Sequence, residues 1–353
     1  MRLAGYQQAL PKGPDTALKI NISWHTFYPA CSTTPWQIEG VVRTMLEDGY
    51  PRNRIHACHN RTVVVSAKKG EVNNRQKQVV DKYGLRNVHL YEGEEWIRYE
   101  PKAKMLALNE IFPDGIQIPK RFLGENIIHL PTCKTHVFTT MTGAMKNAFG
   151  GLLHEKRHFT HSVIHETLVD LLAIQKEIHA GIFAVMDGTW AGDGPGPRCM
   201  IPYEKDILLA SADQVAIDAI SAKLMGFDPL SLKFIRLAHE AGLGVGDPRE
   251  IELVGDDVSG ENWRFHGNES TFASRGQHLI YHGPLKPLEK TLLRTAIAPW
   301  SYAASVLYHD VYWYPTIGRK RVAQALEGKW GRLFQTYVAG GAVNPNVTPA
   351  SAA

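Results

Sequence analysis

Along the first 260 positions, short apolar runs alternate with stretches of helical spacing, as expected of strands and helices in turn. Leu18 to Ile22 predicts a strand, followed by a loop rich in Pro and Thr. Thr34 before Pro35 predicts a helix start with N-cap and N1 in order. Ile38, Val41, Val42, Met45 and Leu46 then fall on one helical face, and Gly49 supplies the stop. A second strand is expected at Arg54 to Cys58, which completes a βαβ unit and makes the pair parallel. The expected fold class is α/β, a mostly parallel sheet flanked by helices.

The alternation continues with a polar helix near Asn73 to Tyr83 and strands at Val88 to Tyr91 and Asn126 to Leu130. Between Glu94 and Phe122 the pattern weakens and reads as loop with an edge hairpin. A long helix is expected from about Ser162 to His179, then buried strands at Gly181 to Met186 and Ile207 to Ala210. Asp213 caps a helix that Gly226 ends, another helix runs through Leu237, and Glu250 to Val254 reads as a closing strand. Residues 1–260 thus form the expected α/β domain, with no internal repeat.

After about Gly260 the texture changes. Trp300, Tyr302, Tyr308, Tyr312, Trp313 and Tyr314 precede Arg319, Lys320 and Arg321, which predicts a helical aromatic and basic extension over 261–338. Residues 339–353 are small and Pro-containing and read as a disordered tail. From Gly283 to Gln335 eight Lys or Arg face three acidic residues, a surplus that accounts for the whole net charge of +4. The remainder is close to neutral, which argues against a nucleic-acid partner. Basic and aromatic residues over 283–335 suit either peripheral membrane contact or helices packed over the domain. No uninterrupted apolar run reaches the ~18 residues of a spanning helix. No secretory leader is readable, so a cytoplasmic setting is expected.

The densest chemical signal is LLHEKRHFTHSVIHE. His154, His158, His161 and His165, spaced 4, 3 and 4, share one face if the segment is α-helical. Neutral imidazoles there suit a transition metal, with His154, His158 and His161 as ligands; protonated ones suit a phosphate or carboxylate. Just before it, Thr142 and Gly143 open a helix turn carrying Lys146 and Asn147, a place where unpaired N–H groups favour an anion. Lys134 lies at the end of the apolar run from Asn126, where open α/β sheets place their sites. In VMDGTWAGDGPGPR, Asp187 ends a strand, and Gly192, Asp193 and Gly194 form a loop that can approach a ligand with its backbone. The glycines do not open a helix, so this is not a dinucleotide fingerprint. Cys31, Cys58, Cys133 and Cys199 form no CxxC pair; Cys31 or Cys199 is either a nucleophile or inert packing.

In order and spacing these motifs resemble the domain of unknown function 362 family, whose members are often labelled iron–sulfur cluster-binding proteins. KINISWHTFYPACSTTPWQIEGVVRTMLEDGY is similar to the family's opening strand, loop and first helix. KTHVFTTMTGAMKNAFGGL resembles its TGAxKN signature through Thr142, Gly143, Lys146, Asn147 and Gly150. The MDG and GDGP loop and ILLASADQVAIDAISAKLMGFDP follow in family order, with Asp187, Gly192, Gly194, Pro195, Asp213 and Asp218 on matching positions. The resemblance covers about residues 15 to 260. Many relatives carry a ferredoxin-like cassette with four-cysteine runs; this chain has none, so no iron–sulfur cluster is expected within it.

The functional expectation is a cytoplasmic enzyme acting on a small acidic molecule, with redox or metal-assisted chemistry. Its catalytic residues would be Lys146, Asn147, Asp187 and His158, and Lys134, Thr142, Gly143, Gly192, Asp193 and Gly194 would bind the ligand. The rival expectation is a non-catalytic metal-binding or electron-transfer accessory protein, working with a redox partner.

Overall fold

A computed structural model describes residues 1–62, 64–267, 269–281, 283–284, 286–288 and 299–338. Its strands are β1 (Thr16–Ile20), β2 (Ile55–His59), β3 (Arg86–His89), β4 (Trp96–Tyr99), β5 (Ile116–Pro119), β6 (Asn126–Leu130), β7 (Thr132–His136), β8 (Thr140–Met141), β9 (Gly181–Asp193) and β10 (Ile201–Ser211). The helices that position the site are α1 (Pro35–Glu47), α2 (Ala67–Asn73), α3 (Gln76–Lys82), α4 (Ala144–Leu152), α5 (Ile164–Ile178) and α6 (Gln214–Met225).

The main sheet runs β3-β2-β1-β6-β9-β7-β8, with β10 against β9. Its centre is parallel, and only β10 on β9 and β8 on β7 are antiparallel. β9 pairs first with β6, from Asn126↔Gly181, and further on with β7, at Thr132↔Asp187 and Lys134↔Gly192. Pro131 separates these two partners because it has no N–H to give the ladder.

Strand alternation sends neighbouring residues to opposite faces, and both faces are covered, as a parallel sheet requires. Leu18 and Ile20 pack with Ile38, Val41, Val42 and Met45, the stripe that α1's sequence predicts. Ala17 lies in the other core with Leu168, Leu171 and Leu172 of α5 and Ile217 and Ile220 of α6. Thr34 is the N-cap of α1, yet its hydroxyl donates to Asp187 Oδ2 at 2.5 Å and makes no cap bond to the helix.

Several expectations change. The weak region holds a hairpin, β4 with β5, which forms a separate two-stranded sheet rather than extending the main one. Glu250 to Val254 is not a strand: Pro248–Glu250 is a 3-10 turn capped by Asp247, and the exposed Leu253 and Val254 meet no sheet edge. Helix α5 begins at Ile164, two residues later than expected, because Glu155–Val163 is wound as 3-10 helix.

The C-terminal region is helical, through Phe272–Tyr281, Pro299–Val306, a π-helical Leu307–Gly318, Arg319–Glu327 and Lys329–Thr336. It is tied back to the α/β body: Trp24 Nε1 donates to Asp310 Oδ1 at 2.6 Å, and Arg75 donates to the carbonyls of Phe334 and Tyr337. Phe27 stacks on Phe334 with ring centres 3.9 Å apart. Among the described residues no helix is long and apolar enough to cross a membrane. The expected disordered tail, 339–353, lies outside the described residues.

Candidate functional site

The carboxyl ends of β1, β2 and β7 open on a cavity of about 1080 Å³, the place where open α/β sheets gather ligands. Lys19, Lys134, Lys146, Arg157, Arg198 and Arg275 line it, and among the described residues no Asp or Glu does. The rest of its wall is largely apolar, including Ile22, Val65, Phe138, Phe149, Leu279 and Ile280.

Each lysine is placed by a different element. Lys19 stands near the end of β1, where Nζ donates to the Ile20 carbonyl at 2.6 Å. Its side chain crosses α4 at Gly151, where a Cβ would come 2.5 Å from Lys19 Cε, so the glycine makes room for the cation. Lys134 on β7 donates to the Cys31 carbonyl at 2.6 Å and to Thr132 Oγ1 at 2.8 Å. Lys146 leaves the first turn of α4 and lies 5.5 Å from the Phe149 ring centre. Among the described residues none of the three pairs with a carboxylate. Burial pushes Lys19 and Lys134 down to about 8. Lys146, enclosed and repelled by Lys134 and Arg157, falls to about 7. Asn147 supports the same corner, donating to the Lys19 carbonyl at 2.8 Å and facing His129 Nδ1 at 3.4 Å.

The histidine run divides. In a 3-10 helix residues three apart stand together, whereas a spacing of four does not keep one face. His158 and His161 line the cavity, and the His158 carbonyl lies 2.9 Å from His161 Nδ1. His161 stacks on Tyr281, and burial pushes its ring down to about 4, so it stands neutral beside the lysines. His154 turns its ring edge to Trp96, and His165 lies along Phe234. The described residues hold two groups with metal-ligand geometry, and neither contains His154, His158 or His161.

The predicted anion site at the start of α4 is filled from within. Asp218 of α6 accepts from the amides of Ala144 at 2.6 Å and Met145 at 3.1 Å, so those N–H groups are spoken for. Thr142 does line the cavity, through a side chain near the Thr132 and Lys134 carbonyls. Asp187 does not: it is fully buried, accepts from Thr34 and from the Thr189 amide at 2.7 Å, and so fixes the entry to α1. Asp193 accepts from the amide and ring of His266 at 2.9 and 2.7 Å. Gly192 packs against Met200, and Gly194 takes a positive φ of 107° in the turn. That loop reaches the cavity with Pro195, Gly196, Pro197 and Arg198 instead.

All four cysteines are buried and unpaired, and burial pushes the Cys199 thiol up to about 12, which does not suit a nucleophile. Lys19, Arg157, Arg198 and Arg275 are the basic lining residues that the motif reading missed. A lysine inside the five-residue buried run TALKI was the available signal, since lysine is almost never fully buried without a reason.

The model of the family described as a domain of unknown function, DUF362, matches residues 16–223, more than half of the chain. The chain belongs to the DUF362 family. Among curated proteins this DUF362 member is similar to a thylakoid-associated protein of Synechocystis sp., 28% identical over 131 residues, which is 36% of this chain and 40% of the relative. The DUF362 chain therefore aligns with less than half of that relative's length. No solved structure matches it.

Proposed function

We propose that this protein is an enzyme that holds a small anionic molecule with an apolar part in the strand-end cavity and moves a proton on it. The observation that carries the reading is the lining: six basic side chains, no acidic one among the described residues, and an apolar remainder. A desolvated cation without a counter-ion is costly, and a bound carboxylate or phosphate relieves that cost. Lys146 near 7 can give or take a proton at neutral pH, with His158 and His161 beside it. Redox or metal-assisted chemistry on the same acid would use the same anion clamp. A non-catalytic carrier would share the binding and lack turnover.

Titration with 1-anilinonaphthalene-8-sulfonate, an anion with an aromatic body, tests the binding step. Saturable single-site binding is expected, weakened about tenfold or more by Lys146→Ala, a loss in the range of one charge-assisted hydrogen bond. The melting temperature should not fall. Binding indifferent to the substitution overturns the reading.

The same reading includes a peripheral contact with an anionic membrane from the cytoplasmic side, through residues 283–335. Exposed Trp300, Leu307, Val311 and Tyr312 precede Arg319 and Lys320, and Trp300 and Leu307 also line the cavity. The thylakoid association of the Synechocystis protein supports this. Flotation with anionic liposomes should carry the parent protein and leave Leu307→Glu/Val311→Glu behind.

A further inference from the structure

On β2 and β3, His59 and His89 stand opposite each other at the carboxyl ends of paired strands. Helix α2 sets Glu71 between them: its Oε2 lies 2.8 Å from His59 Nε2 and 3.1 Å from His89 Nε2. We propose that His59, Glu71 and His89 form a binding site for a divalent first-row transition metal, a site separate from the anion cavity and independent of the reading given for it.

Three observations support it. The three donor atoms all lie within 4.8 Å of one another. Ligands of a tetrahedral zinc ion stand about 3.3 Å apart, so a small outward movement of the rings admits the ion. Two imidazoles and one carboxylate are also a donor set that zinc and its neighbours favour.

The surrounding groups orient the ligands. His89 Nδ1 lies 3.1 Å from Glu92 Oε2, the carboxylate–histidine arrangement that fixes a ligating ring with Nε2 turned to the metal. Lys68 in turn holds Glu92 at 2.7 Å, and Asn87 Nδ2 donates to Glu71 at 2.8 Å. His89 is partly exposed, which gives an ion a way in.

The other three-residue group, Asp15, His56 and Glu125, is already held by cations. Arg86 pairs with Asp15 at 2.6 Å, and Arg121 Nη1 lies 3.4 Å from His56 Nε2 and 3.9 Å from Glu125. A metal there would have to displace guanidinium groups, so it does not compete.

The test uses the full untagged chain, stripped with a chelator and titrated with Zn²⁺ alone against a chromophoric competitor, with Co²⁺ absorption as a second readout. One equivalent should bind, with affinity reduced at least about tenfold by Glu71→Gln and by His89→Ala, and less by Glu92→Gln. His89→Ala is the safer histidine variant because His59 is fully enclosed. His158→Ala should leave stoichiometry and affinity unchanged. Absence of stoichiometric binding, equal affinity in Glu71→Gln and His89→Ala, or loss through His158→Ala overturns the proposal.

Discussion

Asp218 lies against the α-carbon of Gly143, so close that a Cβ there would come within 2.0 Å of Oδ1. The glycine is not needed for its backbone, which is extended at φ −172°. It is needed for room, because the Asp218 carboxylate takes the first free amides of α4, and burial pushes that carboxyl up to about 7.

Gly143→Ala should therefore destabilise the fold by about 2–3 kcal/mol through overpacking. Asp218→Ala should cost about 1–3 kcal/mol by leaving buried amides unpaired. Urea unfolding of the double variant should show less than the sum, because the added methyl then meets no carboxylate. Additive losses would mean that the two residues do not act on each other.

Anion affinity should fall as pH rises. Lys146 loses its proton near pH 7, and Lys19 and Lys134 lose theirs near pH 8. The dissociation constant of the sulfonate probe should thus rise by about tenfold or more between about pH 6 and pH 9. A flat profile would remove the lysines from the binding step.

Stability should respond in the opposite sense. The folded chain releases the Lys146 proton near pH 7 and the unfolded chain near 10.5, so between these values the unfolded state binds more protons and stability increases with pH. Below pH 7 both states hold the proton and the unfavourable contribution is constant. Lys146→Met should unfold at higher urea than the parent at about pH 6, and the advantage should shrink by about pH 9. An advantage that is absent at pH 6, or equal at both, contradicts the assignment.

Trp24 and Asp310 join the body to the C-terminal helices across 286 positions of sequence. Asp310→Ala leaves the indole N–H without its acceptor, which should cost about 1–2 kcal/mol. Limited proteolysis should then cut within 299–318 faster than in the parent. An unchanged cleavage pattern would show that other contacts hold the segment.

Much of the fold was legible because local rules and tertiary packing agree there. The stripe on α1 and the buried run of β1 are each dictated by one face that must meet a core. The site was legible in part: Lys134, Thr142, Lys146, Asn147, His158 and His161 do line one cavity. Asp187 and Asp193 misled because a carboxylate at a strand end looks the same in sequence whether it faces a ligand or ties two loops together. His154 misled because the reading assumed α-helical pitch where the chain winds as 3-10. His59, Glu71 and His89 lie too far apart in sequence for spacing to signal them, and only the parallel register of β2 and β3 sets the rings side by side.

The cavity draws its lysines from the span that matches the family, which ends at residue 223, while Thr271, Ser274, Tyr281, Ser305 and Tyr308 come from beyond it. Five of the six basic lining residues thus come from the family span, and Arg275 belongs to the rim that the region beyond it supplies. An exchange of the second part between DUF362 proteins would remake that rim and replace Arg275 while leaving Lys19, Lys134, Lys146, Arg157 and Arg198 in place.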